Sequence, residues 1–122
     1  MDRAQFSDWI AAYERAWRTP GTDSLADLFA VDASYRTAPF EPWHRGLDSI
    51  AALWEAERVG PDEIFTMESE IVAVDGDTGV ARVEVRYGDP ITRVYRDLWI
   101  VRLDECGRCV EFEEWPFWPQ GG

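Results

Sequence analysis

Hydrophobic positions along residues 2–18 recur with the period of a helix. Phe6, Ile10, Tyr13 and Trp17 are spaced 4, 3 and 4 apart, which places them on one face. Thr19-Pro20-Gly21 should end this helix, because proline cannot continue the ladder and glycine tolerates the turn. A short second helix is predicted next, with Leu25, Leu28 and Phe29 on its buried side and Thr22 or Asp23 as its cap. Ala33–Ala38 reads as a short strand. Pro39-Phe40-Glu41-Pro42 then breaks regular pairing, since two prolines remove two backbone donors. From about Leu47 a third helix is predicted, with Asp48 near its positive end and Ile50, Leu53, Trp54 and Glu57 sharing a face. Gly60-Pro61 should stop it.

The rest of the chain is strand-like. Ile64–Val74 runs to the turn signal Asp75-Gly76-Asp77, and Val80–Gly88 follows with β-branched Val80, Val83 and Val85. Asp89-Pro90 leads into Ile91–Leu103, and Asp104–Arg108, which contains Gly107, leads into Cys109–Phe117. Short turns between neighbouring strands predict antiparallel pairing. The order is therefore helix, helix, strand, helix, then four strands. Helices laid on one face of a curved sheet form an α+β layer. The expected architecture is a cone-shaped α+β barrel, its curved, mixed or antiparallel sheet wrapped around three N-terminal helices with a cavity between them. The chain shows no repeat or linker, and its 122 residues suit one domain.

Charge narrows the partners. Against 24 Asp and Glu there are 12 basic residues, every one Arg, giving a net charge of −12. Such a surface repels phosphate backbones and anionic lipid, which argues against nucleic acid and membrane partners. The absence of Lys excludes Schiff-base chemistry and a phosphate-binding P-loop. No membrane span or signal peptide is legible, so a cytoplasmic protein is expected. Two cysteines and one histidine cannot supply a four-ligand structural zinc site. Aromatic residues make up 14% of the chain, with 7 Trp, enough to wall a cavity as well as fill a core.

Several segments resemble the nuclear transport factor 2-like (NTF2-like) superfamily, and within it the SnoaL-like group. They are the Tyr13 and Trp17 stripe, Leu28–Tyr35, and Gly46 leading to Ile50 and Trp54. Asp97–Leu103, Gly107-Arg108 and Glu114-Trp115 complete the set. The resemblance implies a pocket between helices and sheet and a homodimer through the outer sheet face. One such scaffold hosts isomerases, cyclases, dehydratases, epoxide hydrolases and non-catalytic modules, so the fold alone does not choose among them.

Strand alternation places Tyr95, Asp97 and Trp99 on one face and Arg96, Leu98 and Ile100 on the other. If the first face lines the cavity, Asp97 is a carboxylate among aromatic rings, and desolvation fits it for general acid or base work. If the second does, Asp97 is an ion-pair partner at the surface. Glu113 and Glu114 must face opposite sides. Val110 and Phe112 share the parity of Glu114, and the resemblance favours the same residue, so Glu114 is expected inside. Asp97 and Glu114 would then form a carboxyl pair, one protonated and one ionised. His44, the only histidine, is the third catalytic candidate, on the loop entering the third helix. Tyr13, Tyr35, Trp43, Trp54, Tyr95 and Trp99 are candidate ligand-binding residues, although core packing would also account for them. Cys106-Gly107-Arg108-Cys109 has redox spacing, but it straddles a hairpin instead of opening a helix.

Three functions remain open on these residues. One is a cofactor-independent isomerase, cyclase or dehydratase acting on a small apolar carbonyl compound, with no metal or organic cofactor required. Another is a binding module that holds a small apolar molecule in the same pocket. The last is a dimerisation or docking domain presenting Trp115, Phe117 and Trp118. An Asp-Arg-Asp arrangement is not evident, although Arg93 shares the parity of Asp97.

Overall fold

A computed structural model describes residues 1–58 and 63–119. Helix α1 (Arg3–Arg18) opens on a capping box that the hydrophobic pattern does not reveal. The Gln5 N–H donates to Asp2 at 2.8 Å, and the Asp2 N–H donates to the Gln5 side chain at 3.0 Å. Its periodic face is the buried one, with Phe6, Ile10 and Tyr13 joined by Trp9. Helix α2 (Leu25–Leu28) is a single turn. Its N-cap is Ser24, which makes no side-chain bond, so neither Thr22 nor Asp23 caps it as expected. Phe29 is not helical either. It starts strand β1 (Phe29–Arg36), earlier than the expected Ala33, because long-range pairing with Cys109 supplies its backbone partner.

The loop expected around His44 contains a two-residue strand, β2 (His44–Arg45), whose register sets Ser34 opposite Arg45 and Tyr35 opposite His44. Two residues carry no readable period, so only the pairing defines this strand. Gly46 follows with φ of 85°, a conformation that glycine adopts without strain, and helix α3 (Leu47–Glu57) begins there. Asp48 lies in its first turn, and Ile50 and Trp54 are its buried residues. The expected stop at Gly60-Pro61 lies outside the described residues.

Strands β3 (Phe65–Asp75), β4 (Thr78–Tyr87), β5 (Arg93–Leu103) and β6 (Cys109–Phe117) match the predicted antiparallel run to within a few residues. Ile64 and Ile91, expected inside strands, lie just before β3 and β5 and are exposed. The sheet order is β2-β1-β6-β5-β4-β3, with β1 parallel to β6 and every other pair antiparallel. The result is a curved, unclosed mixed sheet with the helices against it. Irregular register between Ile71 and Ala73, and between Arg102 and Leu103, marks bulges of the kind that bend strands.

Helix α1 packs closely on this sheet. Phe6 presses on Gly79 of β4, where a Cβ would meet the ring at 2.5 Å, so only glycine fits beneath it. Trp9 meets Trp99 and Phe29 edge-on and donates its indole N–H to the Leu28 carbonyl at 3.0 Å. Phe6, Phe29, Ile50, Val101 and Phe112 are fully buried, each contributing roughly 1.5–3 kcal/mol. Ion pairs such as Arg82–Glu70 and Arg96–Glu84 are largely exposed, where each is worth little. Glu113 is the better-shielded acid and pairs with Arg36. Among the described residues, no helix is long and apolar enough to cross a membrane.

Candidate active site

A cavity of about 520 Å³ lies between α1, α3 and the sheet. The parity of β5 turns Tyr95, Asp97 and Trp99 toward it, and the register of β6 brings Glu114 and Pro116 to the same wall. Phe112 predicts the inward face of β6 correctly. Val110 does not, because it sits at the bulge, and fully buried Cys109 takes the inner position there.

Glu114 stands directly opposite Trp99, while Asp97 stands opposite Pro116. The two acids are therefore diagonal neighbours on one face, within reach of each other across the strands. Their side chains approach closely enough that the charge on Asp97 raises the proton affinity of Glu114, so the two take up protons as a pair. Asp97 is only 6% exposed, and its Oδ1 has no hydrogen-bond partner. The Trp99 indole lies close enough to favour ionisation of Asp97, yet its N–H lacks the geometry of a full hydrogen bond.

Glu114 Oε2 accepts the Tyr35 O–H at 3.0 Å, and the Tyr35 and Tyr13 hydroxyls are 2.9 Å apart. Tyr35 has one hydroxyl proton, which goes to Glu114, so Tyr13 donates to Tyr35. The hydroxyl chain thus runs from Tyr13 to Tyr35 to Glu114, with Asp97 beside it. Every member faces a wall of rings. Tyr13 packs on Trp54 at 5.1 Å and on Trp99 at 4.6 Å between centroids.

This environment disfavours charge. Burial raises the Asp97 pKa, offset in part by the neighbouring Glu114 carboxyl and Trp99 indole. Burial raises Glu114 further, and the neighbouring Asp97 charge adds to it, with the Tyr35 hydroxyl opposing. The pair therefore holds its last proton well above the ordinary carboxylate range, with Glu114 the more basic member. Tyr13 and Tyr35 are raised well above the usual phenol value, first by burial and then by Glu114, so both remain donors at neutral pH.

Tyr13, Tyr35, Trp54, Tyr95, Trp99, Asp97 and Glu114 thus come together around one space. Trp43 and His44 are not among the lining residues. Pairing with β1 places His44 on the edge strand β2, and the Trp43 ring stacks under Arg36 at 4.1 Å. The lining residues missed in the sequence include Glu63, Tyr87 and Trp118. Tyr87 continues the parity of Val83 and Val85, a signal that was available, whereas Glu63 lies outside any strand. Arg93, whose parity was visible, lies at the wall 3.7 Å from Glu63.

The two cysteines sit at a hairpin turn, as their spacing suggested, and do not open a helix. Cys106 is exposed and Cys109 is buried, both as free thiols. Burial raises the Cys109 thiol, the opposite of what a redox thiolate needs.

The SnoaL-like domain family model matches residues 10–112 of this chain, which therefore belongs to that family. Solved structures show the same fold. A candidate polyketide cyclase from Sinorhizobium meliloti is 24% identical, with a TM-score of 0.66 over 88% of this chain and 93% of that one. An NTF2-like protein of unknown function from Mesorhizobium loti is 23% identical, with a TM-score of 0.69 over 96% and 95%. A ketosteroid isomerase-like protein from Erwinia carotovora atroseptica is 20% identical, with a TM-score of 0.65 over 95% and 96%. At these identities the likeness shows the fold alone. No protein of curated function matches the chain.

Proposed function

We propose that this SnoaL-like protein is a cofactor-independent acid–base enzyme of the isomerase, cyclase or dehydratase kind, acting on a small carbonyl compound. The observation that carries the reading is the Asp97–Glu114 pair, buried in an aromatic cavity and wired to Tyr35 and Tyr13. A pair holding one proton offers a base and an acid in the same place. Asp97, the less basic member with a free Oδ1, removes a proton α to the carbonyl. The electron pair left on carbon moves onto the carbonyl oxygen, which takes a hydrogen bond from protonated Glu114. The Asp97 carboxyl then returns the proton to the γ carbon in an isomerisation, and the pair regains its starting state. Tyr35 and Tyr13 hold Glu114 in position. General acid–base catalysis of this type supplies about 10²–10⁴-fold.

The test is conversion of cyclohex-3-enone to the conjugated enone, followed by ultraviolet absorption, within a panel of ketones and lactones. The reading expects turnover that Asp97→Asn abolishes while ligand binding persists. Binding without turnover across the panel would favour a non-catalytic binding module. The same reading takes a homodimer through the outer sheet face, where Leu98 and Ile100 remain partly uncovered. Light scattering in solution checks that assembly.

A further inference from the structure

The cavity wall is electrically one-sided. Five carboxyl side chains line it, namely Glu41, Glu57, Glu63, Asp97 and Glu114, against one guanidinium, Arg93. Arg93 is already engaged: it lies 3.7 Å from Glu63, and its guanidinium carbon sits 4.7 Å from the Tyr87 ring centroid. Among the described residues, no other basic side chain lines the cavity to balance the remaining acids.

Acidic side chains at a rim are ordinarily just solvated, and Glu41 and Glu57 alone would signify nothing. Asp97 is different. It is buried, it faces the cavity, and its Oδ1 is left without any partner. A buried, unpaired carboxylate oxygen is costly, and a ligand that pairs with it removes that cost. Beside aliphatic residues such as Leu53, Met67 and Val85, the wall carries rings including Trp17, Trp54, Tyr95 and Trp118, whose π faces attract cations. Wall rings already receive cations from within the chain. Arg58 sits 5.8 Å from the Trp17 ring centroid and 5.7 Å from that of Trp54.

An anion would be repelled at the mouth and again at the floor. A neutral molecule could fill the volume, but it would leave the buried charge uncompensated. We infer that the cavity selects a small organic cation, a protonated amine or quaternary ammonium compound, with its positive end set between Asp97, Glu114 and the aromatic wall. This rests on the same carboxyl pair as the catalytic reading and narrows its substrate class to an amine-bearing carbonyl compound.

Calorimetry on the full chain with three probes of similar size tests it: benzyltrimethylammonium, benzyl alcohol and phenylacetate. The cation should bind at least about tenfold more tightly than the alcohol, and phenylacetate should not bind. In Asp97→Asn/Glu114→Gln the preference should fall below about threefold. If that double variant does not fold, by near-ultraviolet circular dichroism, Glu57→Gln at the exposed mouth replaces it. That change should weaken the cation by about twofold and leave the alcohol unchanged. Equal affinity for cation and alcohol, binding of phenylacetate, or no binding of the cation at millimolar concentration overturns the inference. Enone turnover without cation binding would remove this inference and leave the acid–base reading standing. Cation binding without turnover would do the reverse.

Discussion

Asp97 and Glu114 sit on adjacent antiparallel strands one diagonal step apart, with Trp99 directly opposite Glu114 and Pro116 directly opposite Asp97. That offset lets two acids share a cavity face without standing in direct register, where like charges would repel most strongly. Pro116 also removes one backbone donor near the end of β6.

Burial of this pair should make the protein more stable in mild acid than in mild base. Both folded-state pKa values are raised, so the folded state binds protons more tightly than the unfolded chain. The resulting stabilisation is complete below the ordinary carboxylate pKa and is lost as pH rises through the folded values. Urea unfolding from about pH 5 to about pH 8 should show a decline that Asp97→Asn/Glu114→Gln flattens. A decline of the same steepness in the double variant would place its cause elsewhere.

Removing the Tyr35 hydroxyl should disturb Glu114 more than the core. Tyr35→Phe keeps the ring but takes away the donor to Oε2 and orphans the Tyr13 hydroxyl. A cost of about 1–3 kcal/mol is expected in denaturant titration. Because the Tyr35 bond lowers the Glu114 pKa, its loss should move the Glu114 titration to higher pH. An unchanged or lower Glu114 titration would contradict the proposed wiring.

The contact between Phe6 and Gly79 should be intolerant of one added methyl group. Gly79→Ala places a Cβ 2.5 Å from the Phe6 ring, and it should cost about 1–3 kcal/mol by overpacking. Phe6→Leu in the same chain should recover part of that loss, so the double variant is less destabilised than the sum of the two single changes. Additive losses would mean that Phe6 does not set the limit at Gly79.

Thiol chemistry should distinguish the two cysteines. A thiol reagent should modify Cys106 in the folded protein and reach Cys109 only after unfolding, because Cys109 is fully buried. Two reactive thiols in the folded protein would contradict the buried placement.

The element order was legible because long periodic segments bury one face, as Phe6, Ile10 and Tyr13 do on α1, with Trp17 half-buried, and as Asp97, Trp99 and Val101 do on β5. What failed was set by long-range pairing. Phe29 reads as helical until Cys109 offers it a strand partner, and His44 reads as a loop residue until Tyr35 pairs with it. The bulge at Val110 broke the parity used to place Glu114, and Phe112 alone kept that placement right. The carboxyl pair could be assembled from alternation, but its tyrosine chain could not. Tyr13, Tyr35 and Glu114 come from three separate elements, and no spacing in the sequence records their convergence.

The most direct test is a titration of the side-chain carboxyl carbons of Asp97 and Glu114 by ¹³C nuclear magnetic resonance. The expected result is that both titrate above the ordinary carboxylate range, with Glu114 last and one proton still held by the pair at neutral pH. Two carboxyls that are both fully ionised by pH of about 5, as exposed Asp and Glu are, would contradict the shared-proton site and the acid–base function built on it.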